Sequence, residues 1–296
     1  MMKLSNQLSA LLIISALFVS CKSDDLTNGT GKLALSVTDA PIDAANVKAV
    51  YVTFTGLEYQ NSGGSWETAT DFTSPQVVNI LDLQNGKTSL LGNYTLKSGN
   101  YTGLRFKLDA PTKGTNNPSN PGCYVELNTG EKMPLFVPSG ASSGYKANGN
   151  FSVPINGVVE VTADFDLRKS IVVTGSGSTY ILNPTIKIAV NNQSGTITGL
   201  VSNLAMDKKY VVYTYEKDKY TNSESAEPSG ENVRFANAIS STKISSTGAY
   251  TLAFLAAGSY DLIVVSENAN GLVTVEKQVS AIVVQSQKTT SLNIAL

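Results

Sequence analysis

The sequence predicts an all-β protein made of two antiparallel β-sandwich domains in tandem, and three observations carry that expectation. Apolar and polar residues alternate with a period of two: in GLRFKLD, Leu104, Phe106 and Leu108 point one way while Arg105, Lys107 and Asp109 point the other. The stretches that behave this way are short and are separated by Gly, Asn and Pro, with no long helical pattern between them. Finally, 296 residues of which 42% are hydrophobic exceed what a single core usually serves, so two cores are expected.

Taken in order, residues 32–190 hold the first sandwich. VYVTFTGLEY starts with Val50, Val52 and Phe54 in step and changes phase to Leu57 and Tyr59 across Gly56, which predicts a β-bulge there. NILDLQNG has room for one helical turn before its Asn85-Gly86 break, and VTADFDLR places Val161, Ala163, Phe165 and Leu167 inward. Residues 191–193 read as the linker. Residues 194–296 then give six or seven strands in about a hundred residues, the usual size of a small sandwich, with 218–232 as a long polar loop. Tyr213 and Tyr215, two apart in KKYVVYTYE, are expected to face the core of this domain.

Composition narrows the chemistry. Lys+Arg 22 against Asp+Glu 23 leaves a net charge of -1, so nothing here is a nucleic-acid footprint. Histidine is absent, which removes Ser-His-Asp and Cys-His nucleophile arrangements and imidazole zinc sites. Catalysis would have to run on carboxylates, Lys or Tyr.

At the N-terminus, Lys3 precedes the apolar run Leu11–Val19, too short to span a bilayer, and Ser20-Cys21 follows it. This order of apolar run, small residue and cysteine resembles a bacterial lipobox, although Phe18 stands three before the Cys where Leu is usual. The resemblance implies a signal peptide over 1–20, acylation of Cys21 after cleavage, and a flexible tether over 21–31. Lys22-Ser23-Asp24-Asp25 resembles the acidic tags that carry some lipoproteins to the outer face of the outer membrane. The expected address is therefore the outer membrane, lipid-anchored and facing the exterior, with the membrane as a partner through the anchor. With Cys21 acylated, Cys123 has no cysteine to pair with, and its place in CYVEL marks it as a small buried hydrophobe.

The pieces LSVTDAPID, AVYVTFTGLEY, ILDLQNG, SGNYTGLRFKLDAP, LFVPSG, DFDLRKSIVV and YILNPTIKI, in this order, resemble the bacterial lipoprotein domain of unknown function 4382 over residues 32–190. GAYTLAFLAAGSYDLIVV resembles the carboxypeptidase-regulatory-like, transthyretin-like sandwich. Neither family brings a ligand or a reaction.

The candidate sites are few. Asp39 and Asp43, around the first of two Asp-Ala-Pro tripeptides, are the candidate ligands of a calcium ion, which prefers oxygen donors. Asp164 and Asp166, two apart on one strand, read instead as a solvated row with Arg168. In the second tripeptide, Asp109-Ala110-Pro111, and in the first, Pro ends the strand and Asp is expected to accept from the turn beyond it. Trp66, after the turn NSGG, and Tyr220 are candidate contact aromatics for a carbohydrate or protein ligand. These features point to a non-enzymatic surface module for binding or adhesion. The alternatives are a carboxylate-based envelope hydrolase, which needs two acids converging across a cleft, and an assembly subunit, which needs an exposed sheet edge.

Overall fold

The computed structural model describes residues 29–40, 46–111, 122–137, 144–174, 179–183, 185–228 and 233–296. Cys21 and Asp43 lie outside the described residues, as do the signal segment and most of the tether.

The first thirteen strands are β1 (Thr30–Ala40), β2 (Val47–Asn61), β3 (Trp66–Thr68), β4 (Gln76–Asn79), β5 (Ser89–Lys97), β6 (Gly99–Leu108), β7 (Tyr124–Leu127), β8 (Lys132–Phe136), β9 (Tyr145–Val153), β10 (Val158–Asp166), β11 (Ile171–Thr174), β12 (Thr179–Leu182) and β13 (Ile186–Val190). They join one sheet in the order β11-β12-β8-β7-β2-β6-β9-β13-β10-β1-β5, with β3 and β4 added alongside β2. Phe54 on β2 and Phe165 on β10 are four strands apart in that order, about 19 Å if the sheet were flat. Their rings nevertheless lie 5.7 Å apart, so the sheet rolls over on itself and its inner residues form a single core. The two layers of the sandwich are two parts of this rolled sheet.

Pairing is mixed. β1 runs parallel to β10 over nine residue pairs, and β8/β12 and β9/β13 are also parallel. The long segments between these partners supply the crossovers that parallel neighbours require. The bulge falls where the phase change in the sequence places it, between Phe54 and Gly56 opposite β6. Ile80–Asp82 is a single 3-10 turn, and Asn85 and Gly86 both adopt positive φ. Phe54, Phe106 and Phe165 form a triangle of rings with centroids 5.6 to 5.7 Å apart at the centre of the core. Cys123 is fully buried beside them in the same core; its Sγ accepts from Thr53 N, and burial pushes its thiol up to about 12. The native protein is therefore expected to resist thiol alkylation at pH 8, where an exposed cysteine reacts within minutes, and to react once denatured. Mass spectrometry of native and denatured samples after labelling checks this.

The second set is β14 (Ser194–Ser202), β15 (Lys209–Glu216), β16 (Ser240–Lys243), β17 (Ala249–Ala256), β18 (Gly258–Glu267), β19 (Val273–Val284), β20 (Thr289–Ser291) and β21 (Ile294–Ala295). One sheet is β17-β14-β20 with β21 also on β14, the other β16-β15-β18-β19, and a core including Ile197, Val212, Leu252, Leu262 and Val264 lies between them. The residues of 191–193 form one 3-10 turn between β13 and β14.

The second sheet is apolar on both faces. Tyr210 and Val212 enter the sandwich core, whereas Tyr213 and Tyr215 point out of it into a separate cluster with Phe235, Ala238, Ile263 and Val265. This corrects the expectation for the tyrosine pair: both are buried, but on the far side of their sheet. The covering material includes Tyr220 and Glu224 from the polar loop and Phe235 and Ala238 from the turn before β16, a stretch that forms no strand. Glu224 pins it, accepting from the Tyr215 hydroxyl (2.9 Å) and from Asn237 N (3.0 Å), while Phe235 stacks on Tyr213 with centroids 4.1 Å apart.

Candidate functional site

The densest set of ionised groups lies where the two domains meet. It is built from the C-terminal end of β10 and the short helix α1 (Leu167–Ser170). Asp166 caps α1, accepting from Lys169 N, and its other oxygen takes Arg168 Nη2 at 3.1 Å. Both partners are almost wholly buried, and they are buried because the second domain sits on them. Arg168 donates onward to Phe235 O (2.7 Å) and Ala238 O (3.4 Å), with its guanidinium 5.2 Å from the Tyr213 ring. Lys169 Nζ donates to Ala238 O at 2.8 Å and Lys187 Nζ to Ile239 O at 2.5 Å. Three cations of the first domain thus plug into the carbonyls of residues 235–239. Phe235 holds a left-handed conformation (φ 54°), which for a bulky residue costs about 1–2 kcal/mol; its stack on Tyr213 and the bond from Arg168 hold it there. On the other side of the junction, Asn85 Oδ1 accepts from Thr242 Oγ1 (2.8 Å) and Thr251 N (3.2 Å).

Of the row of Asp164, Asp166 and Arg168, the last two are therefore not solvated, while Asp164 is half-buried with its Oδ1 sealed. The row's polar pattern, read along one strand, marks a face that a second domain covers. Burial, with Asp166 beside it, raises the Asp164 carboxyl to about 6 even with Lys187 and Arg168 nearby.

The turn beyond Asp39 lies outside the described residues. Asp39 Oδ1 accepts from Leu167 N at 3.4 Å, across the sheet, and its Oδ2 is buried without a partner. Burial raises its carboxyl well above the usual range, and the Asp164 charge adds to that. Asp109, in the second copy of the tripeptide, is exposed. The two Asp residues of the repeated tripeptide thus sit in opposite environments. Among the described residues no group of three or more His, Cys, Asp or Glu is placed to hold a metal ion; Asp43, the other proposed calcium ligand, lies outside them.

Trp66 is partly covered: the Arg105 guanidinium lies 4.4 Å over its ring and Lys146 Nζ 5.9 Å from it. Arg105 is in turn held by Glu58 at 2.5 Å. Tyr220 is half-buried in the outer cluster of the second domain, edge-on to Tyr215 with centroids 5.2 Å apart. The two aromatics belong to different domains.

A cleft that the sequence reading missed opens beside the junction, with a volume of ≈ 520 Å³. Its floor follows from strand register. Val211 pairs with Lys243 on one side and Val265 on the other, and Lys209 pairs with Glu267, which pairs with Val273. Directly paired residues share a face, so this is the outward face of β15, β18 and β19 where the cover that includes Phe235 ends, with Val211, Val265 and Val273 set among charged neighbours. Phe235 and Tyr213 close the covered end, Val47 contributes from the first domain, and Leu204 and Met206 form a lip. Met206 is fully exposed, and Leu272, next to the lining residue Val273, is largely so. The signal was present in KKYVVYTYE, where both strand faces are apolar, and in the isolated Met206 and Leu272.

Comparison with known proteins identifies the first domain. The domain of unknown function DUF4382 matches residues 30–184, more than half of the chain. The chain belongs to the DUF4382 family. No curated protein matches it. Among solved structures, this DUF4382 chain is similar to the Bacillus anthracis TIE protein, at 10% identity and a TM-score of 0.21, covering 90% of this chain and 34% of that one. It is also similar to GBS52, the minor pilin of Streptococcus agalactiae, at 12% identity, a TM-score of 0.24 and coverage of 90% and 94%. The shaft pilin SpaA of Lactobacillus rhamnosus GG gives 12% identity, a TM-score of 0.24 and coverage of 90% and 97%. Similarity at this level assigns nothing to the DUF4382 chain.

Proposed function

We propose that this chain is a lipid-anchored, non-enzymatic surface protein of the outer membrane whose second domain binds a partner polypeptide through the cleft beside Val211 and Val265. The cleft carries this reading. Its volume falls in the range of ligand sites, its floor sets Val211, Val265 and Val273 among Lys209, Lys243 and Glu267, and a fully exposed Met at the lip supplies a flexible, polarisable contact of the kind binding surfaces use.

Two further features support it. Of the carboxylates that the fold gathers, Asp166 and Asp39 are buried, Asp164 is half-buried, and Asp39 lies on the opposite face of the sheet from the other two, so they do not face each other across an open groove, which disfavours the hydrolase alternative. The tether would enter at Thr30, the start of β1, whereas Val47 of the cleft follows the opposite end of that strand. Ten residue steps of strand put these ends roughly 33 Å apart, so an anchor at Cys21 would leave the cleft pointing away from the membrane.

The reading is tested with the soluble chain from Leu26 onward against surface proteins, matrix proteins and glycans. Binding to a polypeptide with affinity in the micromolar range or better is expected; an intact chain that binds only glycans, or nothing, contradicts it. The anchor has a separate test: Cys21→Ser should move the protein out of the membrane fraction, and a fully membrane-bound variant would contradict acylation.

A further inference from the structure

We propose that Asp164 is the proton-binding group of a pH-sensitive clamp between the two domains: with the proton on, the domains are held docked, and with it off, the junction loosens. The inference is independent of any ligand in the cleft.

Asp164 lies on β10, directly opposite Lys187 on β13 and Thr38 on β1. Its Oδ1 is sealed from solvent and has no hydrogen-bond partner. The neighbouring cations donate to other groups, and only Arg168 Nε is left without a partner. Arg168 of α1 is taken by Asp166 and by the carbonyls of Phe235 and Ala238, Lys169 of α1 by the Ala238 carbonyl with Asp166 at 3.6 Å, and Lys187 by the Ile239 carbonyl. Asp166, on the same strand and face, adds a like charge. Asp39 is one pair further along β1, on the opposite face of the sheet, and Lys243 of β16 acts on Asp39. The covering residues 235–239 bring carbonyl oxygens and no ionisable side chain to this face.

A carboxylate oxygen sealed without a donor is costly, and protonation removes that cost. In the proposed clamp, undocking lets water reach this oxygen and returns the group toward the ordinary carboxylate range. The docked form thus binds the proton more tightly, so docking gains strength from it fully below about pH 4 and loses that strength as pH rises through about 6. A difference of two pH units corresponds to a change of up to about 100-fold in the undocking constant, and about 10-fold if half of the desolvation belongs to the first domain alone.

The test is amide hydrogen exchange of the mature chain between pH 4.5 and 8, corrected for intrinsic rates, read at residues 235–239. Wild-type protection should fall ten- to a hundredfold across the range, and Asp164→Asn, which keeps a neutral side chain at every pH, should hold the low-pH protection at pH 8. Protection that does not change with pH, or an Asp164→Asn protein that retains the wild-type dependence, overturns the proposal. Should the variant fail to fold, carboxyl-carbon NMR of the wild type decides: a midpoint for Asp164 near 6 agrees, and one near 4 overturns it.

Discussion

Replacing Arg168 with Met is expected to destabilise the protein by about 3–5 kcal/mol, the range for removing one partner of a buried ion pair. The loss is larger than a pair energy because of what is left behind. Asp166 stays 2% exposed with its strongest donor gone, the carbonyls of Phe235 and Ala238 lose a charged donor, and Tyr213 loses the guanidinium beside its ring. Arg168→Lys keeps the charge but not the fork that reaches Asp166 and two carbonyls together, so it should recover only part of the loss. Chemical denaturation checks both variants; for a chain of this size the Met variant should melt roughly 10 °C lower. The second domain should also become less protected from exchange at residues 235–239. A shift below 1 kcal/mol would mean that the junction does not depend on this residue.

Phe54→Ala carries the second large effect, again about 3–5 kcal/mol. Phe54 is fully buried and touches both other rings of the Phe54-Phe106-Phe165 triangle, which joins strands from distant parts of the rolled sheet. Truncation opens a cavity at the point where the sheet closes over itself, and rigid β-strands on every side leave little scope for collapse. Phe54→Leu, which keeps most of the volume, should cost far less. Equal denaturation midpoints for wild type and Phe54→Ala would contradict a single core shared by β2, β6 and β10.

Much of the fold is legible in period and punctuation. Leu104, Phe106 and Leu108 alternate inward, the phase change at Gly56 marks the bulge, and Asn85-Gly86 marks the turn. Parallel pairing is not legible, because the partner of β1 lies more than a hundred residues away and nothing local in TGKLALSVTDA selects β10 over a nearer strand. The candidate site was hidden for a related reason. Alternation tells which face of a strand is polar, but a polar face can meet water or another domain. Asp166 and Arg168 look solvated until the carbonyls of Phe235 and Ala238 are brought against Arg168 from a turn just beyond the polar loop 218–232. For Tyr213 and Tyr215 the period identified burial, and only the second apolar face of β15 could have shown which side they bury on.

The cleft is tested most directly by the double variant Met206→Asp/Leu272→Asp, which changes an exposed residue on its lip and another exposed residue next to the lining residue Val273. Surface substitutions of this kind usually move stability by no more than about 0.5 kcal/mol, so the melting temperature should be unchanged. Affinity for the polypeptide partner, measured by surface plasmon resonance on the soluble chain, should fall at least about tenfold, since an apolar contact at the lip and an apolar residue beside the lining both become charged. Wild-type affinity in a folded double variant would contradict the assignment of the cleft as the binding site.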